Sequence, residues 1–205
     1  NTAEIGNWQE VISLARQGAW LNERSCNGNT ALHLAAKSDE LSIIMALIDL
    51  GANTNVTDHS GLTPLHWAII NLNYSICRYL VETAGANLTM QDTLYKSTPL
   101  HWSLHKRVSI DSNHEDKREV TKVINLLIDN PTRPSWLRTT SHDRQDIYGN
   151  TPLLVALKYQ DINTTKKLIN AGVDVNVVGE HHCTALHYAA AYGDKEIAAA
   201  LISKA

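Results

Sequence analysis

Apolar residues fall at helical spacing in three clear stretches: Leu41, Ile44, Leu47 and Ile48; Ile76, Cys77, Leu80 and Val81; Val123, Ile124, Leu127 and Ile128. Residues three and four apart share a helix face, so each stretch predicts a short amphipathic helix. A second apolar pattern is a recurring heptapeptide: TALHLAA from Thr30, TPLHWAI from Thr63, TPLHWSL from Thr98, TPLLVAL from Thr151 and TALHYAA from Thr184. Its Thr suits a helix N-cap, since the hydroxyl can accept an orphan backbone N–H. Pro64, Pro99 and Pro152 follow at the first helical position, where no N–H is needed. Each block therefore predicts a short first helix, with small Ala residues allowing close helix approach. Gly51, Gly85 and Gly172 stand where the second helix must stop, the usual left-handed position. An extended segment should follow each glycine and end in a tight turn, as at Asp58-His59-Ser60-Gly61 and Asp146-Ile147-Tyr148-Gly149.

The heptapeptides are spaced by 33, 35, 53 and 33 residues. A period of this size with the pattern T-P-L-H-x-A resembles the ankyrin repeat family. The resemblance covers nearly the whole chain and implies an all-α solenoid of stacked helix–turn–helix units with hairpin-like loops. One domain over 1–205 is expected: a partial unit 1–25, then units of about 26–57, 58–91, 92–145, 146–178 and 179–205. A lone helix pair cannot bury its apolar faces, so each unit must hide them against its neighbours. The third unit is long. Aligning Leu127-Ile128-Asp129 on Leu47-Ile48-Asp49 divides its excess into two polar insertions, around His105 to Glu119 and Asn130 to Gln145. Both are expected to be exposed loops. The second carries Trp136, either folded back onto the stack in a tolerated loop or an anchor for a partner, and Arg133, Arg138 and Arg144. The fourth unit has Leu154 in place of the histidine and Thr164-Thr165 in place of isoleucine, and is expected to be less stable.

Composition narrows the function. With 43% apolar and 19% charged residues and a net charge of -3, the chain has an ordinary globular balance. Its scattered bases argue against a nucleic-acid partner. No run reaches the roughly 18 to 20 apolar residues of a membrane helix. Three distant cysteines, Cys26, Cys77 and Cys183, form no disulfide framework and suit a reducing, cytoplasmic compartment.

The ten histidines invite a catalytic or metal-binding reading. The resemblance instead implies that His33, His66, His101 and His187 hydrogen-bond backbone between adjacent units. His181-His182-Cys183 is the densest donor cluster, but a zinc site needs about four ligands at defined spacing, so a surface turn is expected. Cys77 lies on an apolar helix face. No phosphate-binding glycine loop occurs. Neither a catalytic residue, a cofactor nor a metal is expected.

The resemblance implies a binding surface made of turn tips and the exposed edge of each first helix. Carried onto this chain, those positions give the candidate partner-binding residues Ile70, Tyr95, Lys96, His105, Lys106, Tyr148, Lys158, Tyr159 and Tyr192; the heptapeptide ladder adds Trp67, Trp102 and Tyr188, and the second insertion adds Trp136. Lys96 and His182 replace the usual turn glycine, which makes the third and fifth tips irregular. The ladder Leu34, Trp67, Trp102, Val155 and Tyr188 should stack side by side, as packing between units or as an aromatic floor. The implied function is a protein–protein interaction module, monomeric in isolation, with a partly acidic partner suggested by the local Lys and Arg. Similar arrays occur in bacterial effectors, which would place it in a host cytosol. The competing reading is the substrate-recruiting part of an enzyme whose catalytic domain lies elsewhere.

Overall fold

A computed structural model describes residues 3, 6–110, 114–129 and 142–205. Among them are eleven α-helices and no strand. Helix α1 (Trp8–Arg16) stands alone at the start. Antiparallel pairs then follow: α2 (Ala31–Lys37) with α3 (Leu41–Asp49), α4 (Pro64–Ile70) with α5 (Tyr74–Glu82), and α6 (Pro99–Ser109) with α7 (His114–Asp129). The last two pairs are α8 (Pro152–Lys158) with α9 (Ile162–Asn170), and α10 (Ala185–Tyr192) with α11 (Lys195–Ile202). First helices α2, α4, α6, α8 and α10 pack in one row, and α1, α3, α5, α7, α9 and α11 in a second.

The heptapeptides build the first row as expected. Thr30, Thr63, Thr98, Thr151 and Thr184 hold the N-cap position in extended backbone geometry. The Leu that follows two positions on is buried in the first four units, at Leu32, Leu65, Leu100 and Leu153. Ala35, Ala36, Ala68 and Ala156 have no exposed surface, which lets neighbouring helices approach closely. From the second row, Ile44, Leu47, Ile76, Leu80, Ile124, Leu127, Leu168 and Ile197 complete one continuous core. Burying each such side chain contributes about 1.5 to 3 kcal/mol. Truncating one, as in Leu65→Ala, would cost about 2 to 5 kcal/mol.

The first insertion corrects the sequence reading. Its described residues are helical rather than looped, apart from Ile110, which ends α6. Helix α6 runs 11 residues, against 7 for α2, α4 and α8. Helix α7 runs 16, against 9 for α3, α5 and α9. The insertion thus lengthens both helices of the pair. Val120, near the start of α7, is fully buried, which anchors part of the added turns. The second insertion, including Trp136, lies outside the described residues except for its end.

The loops between pairs are held by carbonyl and carboxylate acceptors. Within the turns, Ser25 N–H donates to Asn29 O at 2.8 Å, Asp58 N–H to Leu62 O at 2.9 Å, and Asp146 N–H to Asn150 O at 2.9 Å. Consecutive tips are tied to one another: His59 N–H donates to Asn27 O (3.3 Å), Thr93 N–H to Ser60 O (2.9 Å) and Ile147 N–H to Tyr95 O (2.8 Å). These bonds place the tips in a row beside the exposed edge of the first helices.

Candidate interaction surface

Four histidines sit three residues after the cap Thr of their units. In each, the ring Nδ1 accepts the backbone N–H of the Thr, at 3.1 Å for His33, 3.1 Å for His66, 3.3 Å for His101 and 3.2 Å for His187. A nitrogen that accepts carries no proton, so the hydrogen must sit on Nε2. That N–H then donates into the next unit: His33 to Leu62 O at 3.0 Å and His101 to Asn150 O at 3.0 Å. His66 is completely buried, yet its Nε2 has no hydrogen bond. His187 is exposed. Burial pushes the His66 and His101 pKa down to about 4 each, and that of His33 downward. His33 and His101 are therefore neutral struts between units, and His66 is a buried neutral cap of its own helix. The struts hold the first helices and the turn tips in register, which is what aligns the surface.

On that surface, six of the thirteen candidate residues come together. Tyr95, Trp102, His105, Tyr148, Lys158 and Tyr159 line one cavity of about 440 Å³, with Ser97, Asp146, Asn150, Val155 and Glu180. Tyr95 and Tyr148 come from the tips of the third and fourth units and are 44% and 57% exposed. Trp102 and His105 project from α6, and Lys158 and Tyr159 lie at the end of α8. His105 Nδ1 lies 2.9 Å from the Tyr159 hydroxyl, with the rings edge to face at 5.7 Å. Burial, the largest influence, holds the His105 pKa below its ordinary value. Lys158 Nζ donates to Glu180 Oε2 at 2.6 Å, which raises the lysine pKa and lowers that of the glutamate.

The other candidates lie apart. Trp67 and Ile70 are half-buried on α4, where Lys37 Nζ sits 5.5 Å from the centroid of the Trp67 ring. Lys96 and Lys106 have no ion pair among the described residues. Tyr188 and Tyr192 stack on each other at 6.5 Å, and the Tyr192 hydroxyl donates to Lys158 O at 3.3 Å. Trp136 lies outside the described residues. The two indoles of the ladder make no ring contact with each other. Each turns its N–H to the turn aspartate of its own unit: Trp67 Nε1 to Asp58 Oδ2 and Trp102 Nε1 to Asp92 Oδ2, both at 3.0 Å. Sequence reasoning missed this role of the aspartates. Their fixed place, nine or ten residues before the ladder position, was the available signal.

The irregular tips are visible in the backbone. Lys96 has φ 54°, and a short 3-10 turn at Glu180–His182 carries His181 and His182 at φ 54° and 58°. Among the described residues, no group of three or more His, Cys, Asp and Glu side chains is placed to hold a metal ion. All three cysteines are free thiols, and burial pushes the Cys77 thiol pKa far up. No helix among the described residues is long and apolar enough to cross a membrane.

Stacked helix pairs, carboxylate-held turns and histidine struts together define a solenoid of the helix–turn–helix repeat class. The family model for ankyrin repeats (3 copies) matches residues 3–92 and 115–205. The chain belongs to the ankyrin repeat family, whose repeats are protein–protein interaction modules. It is 42% identical over 100 residues to an ankyrin repeat protein of Fowlpox virus, covering 48% of this chain and 29% of that protein. It is 28% identical over 208 residues to neurogenic locus notch homolog protein 1 of Xenopus laevis, covering 97% of this chain and 6% of that protein. The chain thus spans less than a third of either relative. In fold it is similar to the ankyrin repeat protein EF0377, with a TM-score of 0.73 at 23% identity, covering 100% of this chain and 96% of that one. An ankyrin repeat domain from Acinetobacter baumannii AYE gives a TM-score of 0.71 at 21% identity, covering 99% and 95%.

Proposed function

We propose that this array binds a partner protein across the groove formed by the tips and first helices of the third and fourth units. The observation that carries this reading is the exposure of Tyr95 and Tyr148 around a cavity floored by Trp102 and Tyr159. Helix stacking does not require those tip tyrosines. Exposed aromatics beside a ready-made concavity are the usual anchors of an interface. Among the described residues Lys37, Lys96 and Lys106 have no ion-pair partner, and along the same face they suit acidic residues of the partner around that anchor. Free thiols fit work in a reducing, cytoplasmic setting, and the array is taken to act there as a monomer.

The relatives' greater length favours a second reading, in which the array recruits substrate for a catalytic domain of the same protein. Affinity capture with the wild type and a Tyr95→Ala/Tyr148→Ala variant tests the surface common to both. Loss of a captured protein from the variant is expected. An identical set of captured proteins, with the variant's melting temperature unchanged, would remove this face from consideration.

A further inference from the structure

The three turn aspartates of the second, third and fourth units do the same local work. Asp58 Oδ1 accepts the N–H groups of Ser60 (2.8 Å) and Leu62 (2.9 Å). Asp92 accepts those of Leu94 (2.9 Å), Tyr95 (2.6 Å) and Ser97 (2.9 Å). Asp146 Oδ1 accepts those of Tyr148 (2.9 Å) and Asn150 (2.8 Å). In the first two, Oδ2 also accepts an indole N–H, from Trp67 and Trp102. In the fourth unit the ladder residue is Val155, which has no donor, and among the described residues Asp146 Oδ2 accepts no hydrogen bond. Asp146 is only 7% exposed, and it lines the cavity described above. Val155 leaves unfilled the space that an indole takes in the preceding units, and the second carboxylate oxygen of Asp146 borders it.

The walls of this space are Trp102, Tyr95, Tyr148 and Tyr159. Its charges reduce to one. Lys158 and Glu180 neutralise each other at 2.6 Å, and His105 is held neutral by burial, so Asp146 is left. An anionic oxygen short of a donor, walled by aromatic rings, favours a flat cation that can both donate and stack. The guanidinium does both, whereas an ammonium is compact and more strongly hydrated.

We propose that the cavity takes one arginine side chain of the partner, its N–H groups on Asp146 Oδ2 and its plane against the tyrosines and Trp102. This rests on the groove being the partner-binding face, and it adds a single basic residue to a segment whose flanks are acidic.

The probe is N-acetyl-arginine methylamide, titrated into the wild-type chain at matched ionic strength and followed by NMR at the Trp102 indole and the Tyr148 amide. The lysine and citrulline analogues serve as comparators. Saturable shifts confined to the cavity are expected at millimolar concentration, with the citrulline analogue about tenfold weaker because it lacks the charge. Asp146→Asn should weaken the arginine probe by about the same factor. Val155→Trp supplies the missing indole to Asp146 and fills the space, so it should abolish binding while raising the melting temperature. Equal binding of the three probes, no shift in the wild type, or arginine binding retained in Val155→Trp overturns the proposal. Capture that still depends on Tyr148 while the probe fails to bind would sink the arginine and leave the surface standing.

Discussion

His101 Nε2 lies 3.0 Å from the carbonyl oxygen of Asn150, a residue 49 positions further along the chain. On the other side of the ring, Nδ1 accepts the backbone N–H of Thr98 at 3.3 Å. One neutral imidazole therefore closes the helix cap of its own unit and bridges the long third unit to the fourth, across everything the insertions add.

Replacing His101 with Leu should remove both bonds and strand the buried Thr98 N–H, while the Asn150 carbonyl keeps its bond from Asp146 N–H. A stranded buried group costs about 1 to 3 kcal/mol. A loss of roughly 2 kcal/mol is expected in urea unfolding. His187→Leu is the internal control. That ring caps Thr184 at 3.2 Å but is exposed, so its loss should cost about 1 kcal/mol or less. Equal costs at the two positions would show that His101 works only as a cap.

The same burial makes stability depend on pH. His66 and His101 hold pKa values near 4 in the folded chain, against 6.5 for a free imidazole, and His33 is also lowered. Between those values the unfolded chain binds protons that the folded chain refuses, so unfolding gains as pH falls. Protonating His101 would also set a hydrogen on Nδ1 against the Thr98 N–H. Stability should be flat above pH 7, fall between pH 6.5 and 4, and level off below for these groups. Urea midpoints measured across that range check the slope, which should be shallower in His101→Leu.

Much of this was legible in the chain itself. The Thr caps, the histidine struts and the buried Leu and Ala of each first helix follow from a heptapeptide whose chemistry is local. The helical form of the first insertion was not. Its residues are mostly charged and lack an apolar stripe, because the added turns of α6 and α7 reach beyond the neighbouring helices, leaving Val108 half exposed. The cavity was half legible. Six of its residues carried the expected positions, but the free oxygen of Asp146 depends on which side chain fills the space above it. Only the Asp–Trp pairs of the neighbouring units reveal that.

Two turn positions give opposite backbone predictions. Gly61 has φ 77°, and a Cβ there would come within 2.7 Å of the Thr93 nitrogen, so Gly61→Ala should destabilise by more than about 1 kcal/mol. Lys96 occupies the corresponding place in the next turn at φ 54° with a full side chain. Left-handed backbone costs a non-glycine residue about 1 kcal/mol or more, partly offset by glycine's greater freedom when unfolded. Lys96→Gly should therefore stabilise, by roughly 0.5 kcal/mol. Thermal unfolding of the two variants side by side tests the signs.

The fourth unit carries a defect that one atom can repair. Thr164 and Thr165 stand where α3 has Ile43 and Ile44. Thr164 is compensated, since its hydroxyl donates to Asp161 Oδ2 at 2.5 Å beside the Arg107–Asp161 ion pair of 2.7 Å. Thr165 is not: it is fully buried, and its hydroxyl has no hydrogen-bond partner among the described residues. An unmade buried hydrogen bond costs about 1 to 3 kcal/mol, and valine replaces the hydroxyl with a methyl of nearly the same shape. Thr165→Val should stabilise the chain by about 1 kcal/mol. Hydrogen exchange locates the effect. In the wild type, amides of α8 and α9 should open before those of α4 and α5, and the substitution should slow them selectively. Destabilisation by Thr165→Val would mean that the hydroxyl finds a partner, such as an ordered water.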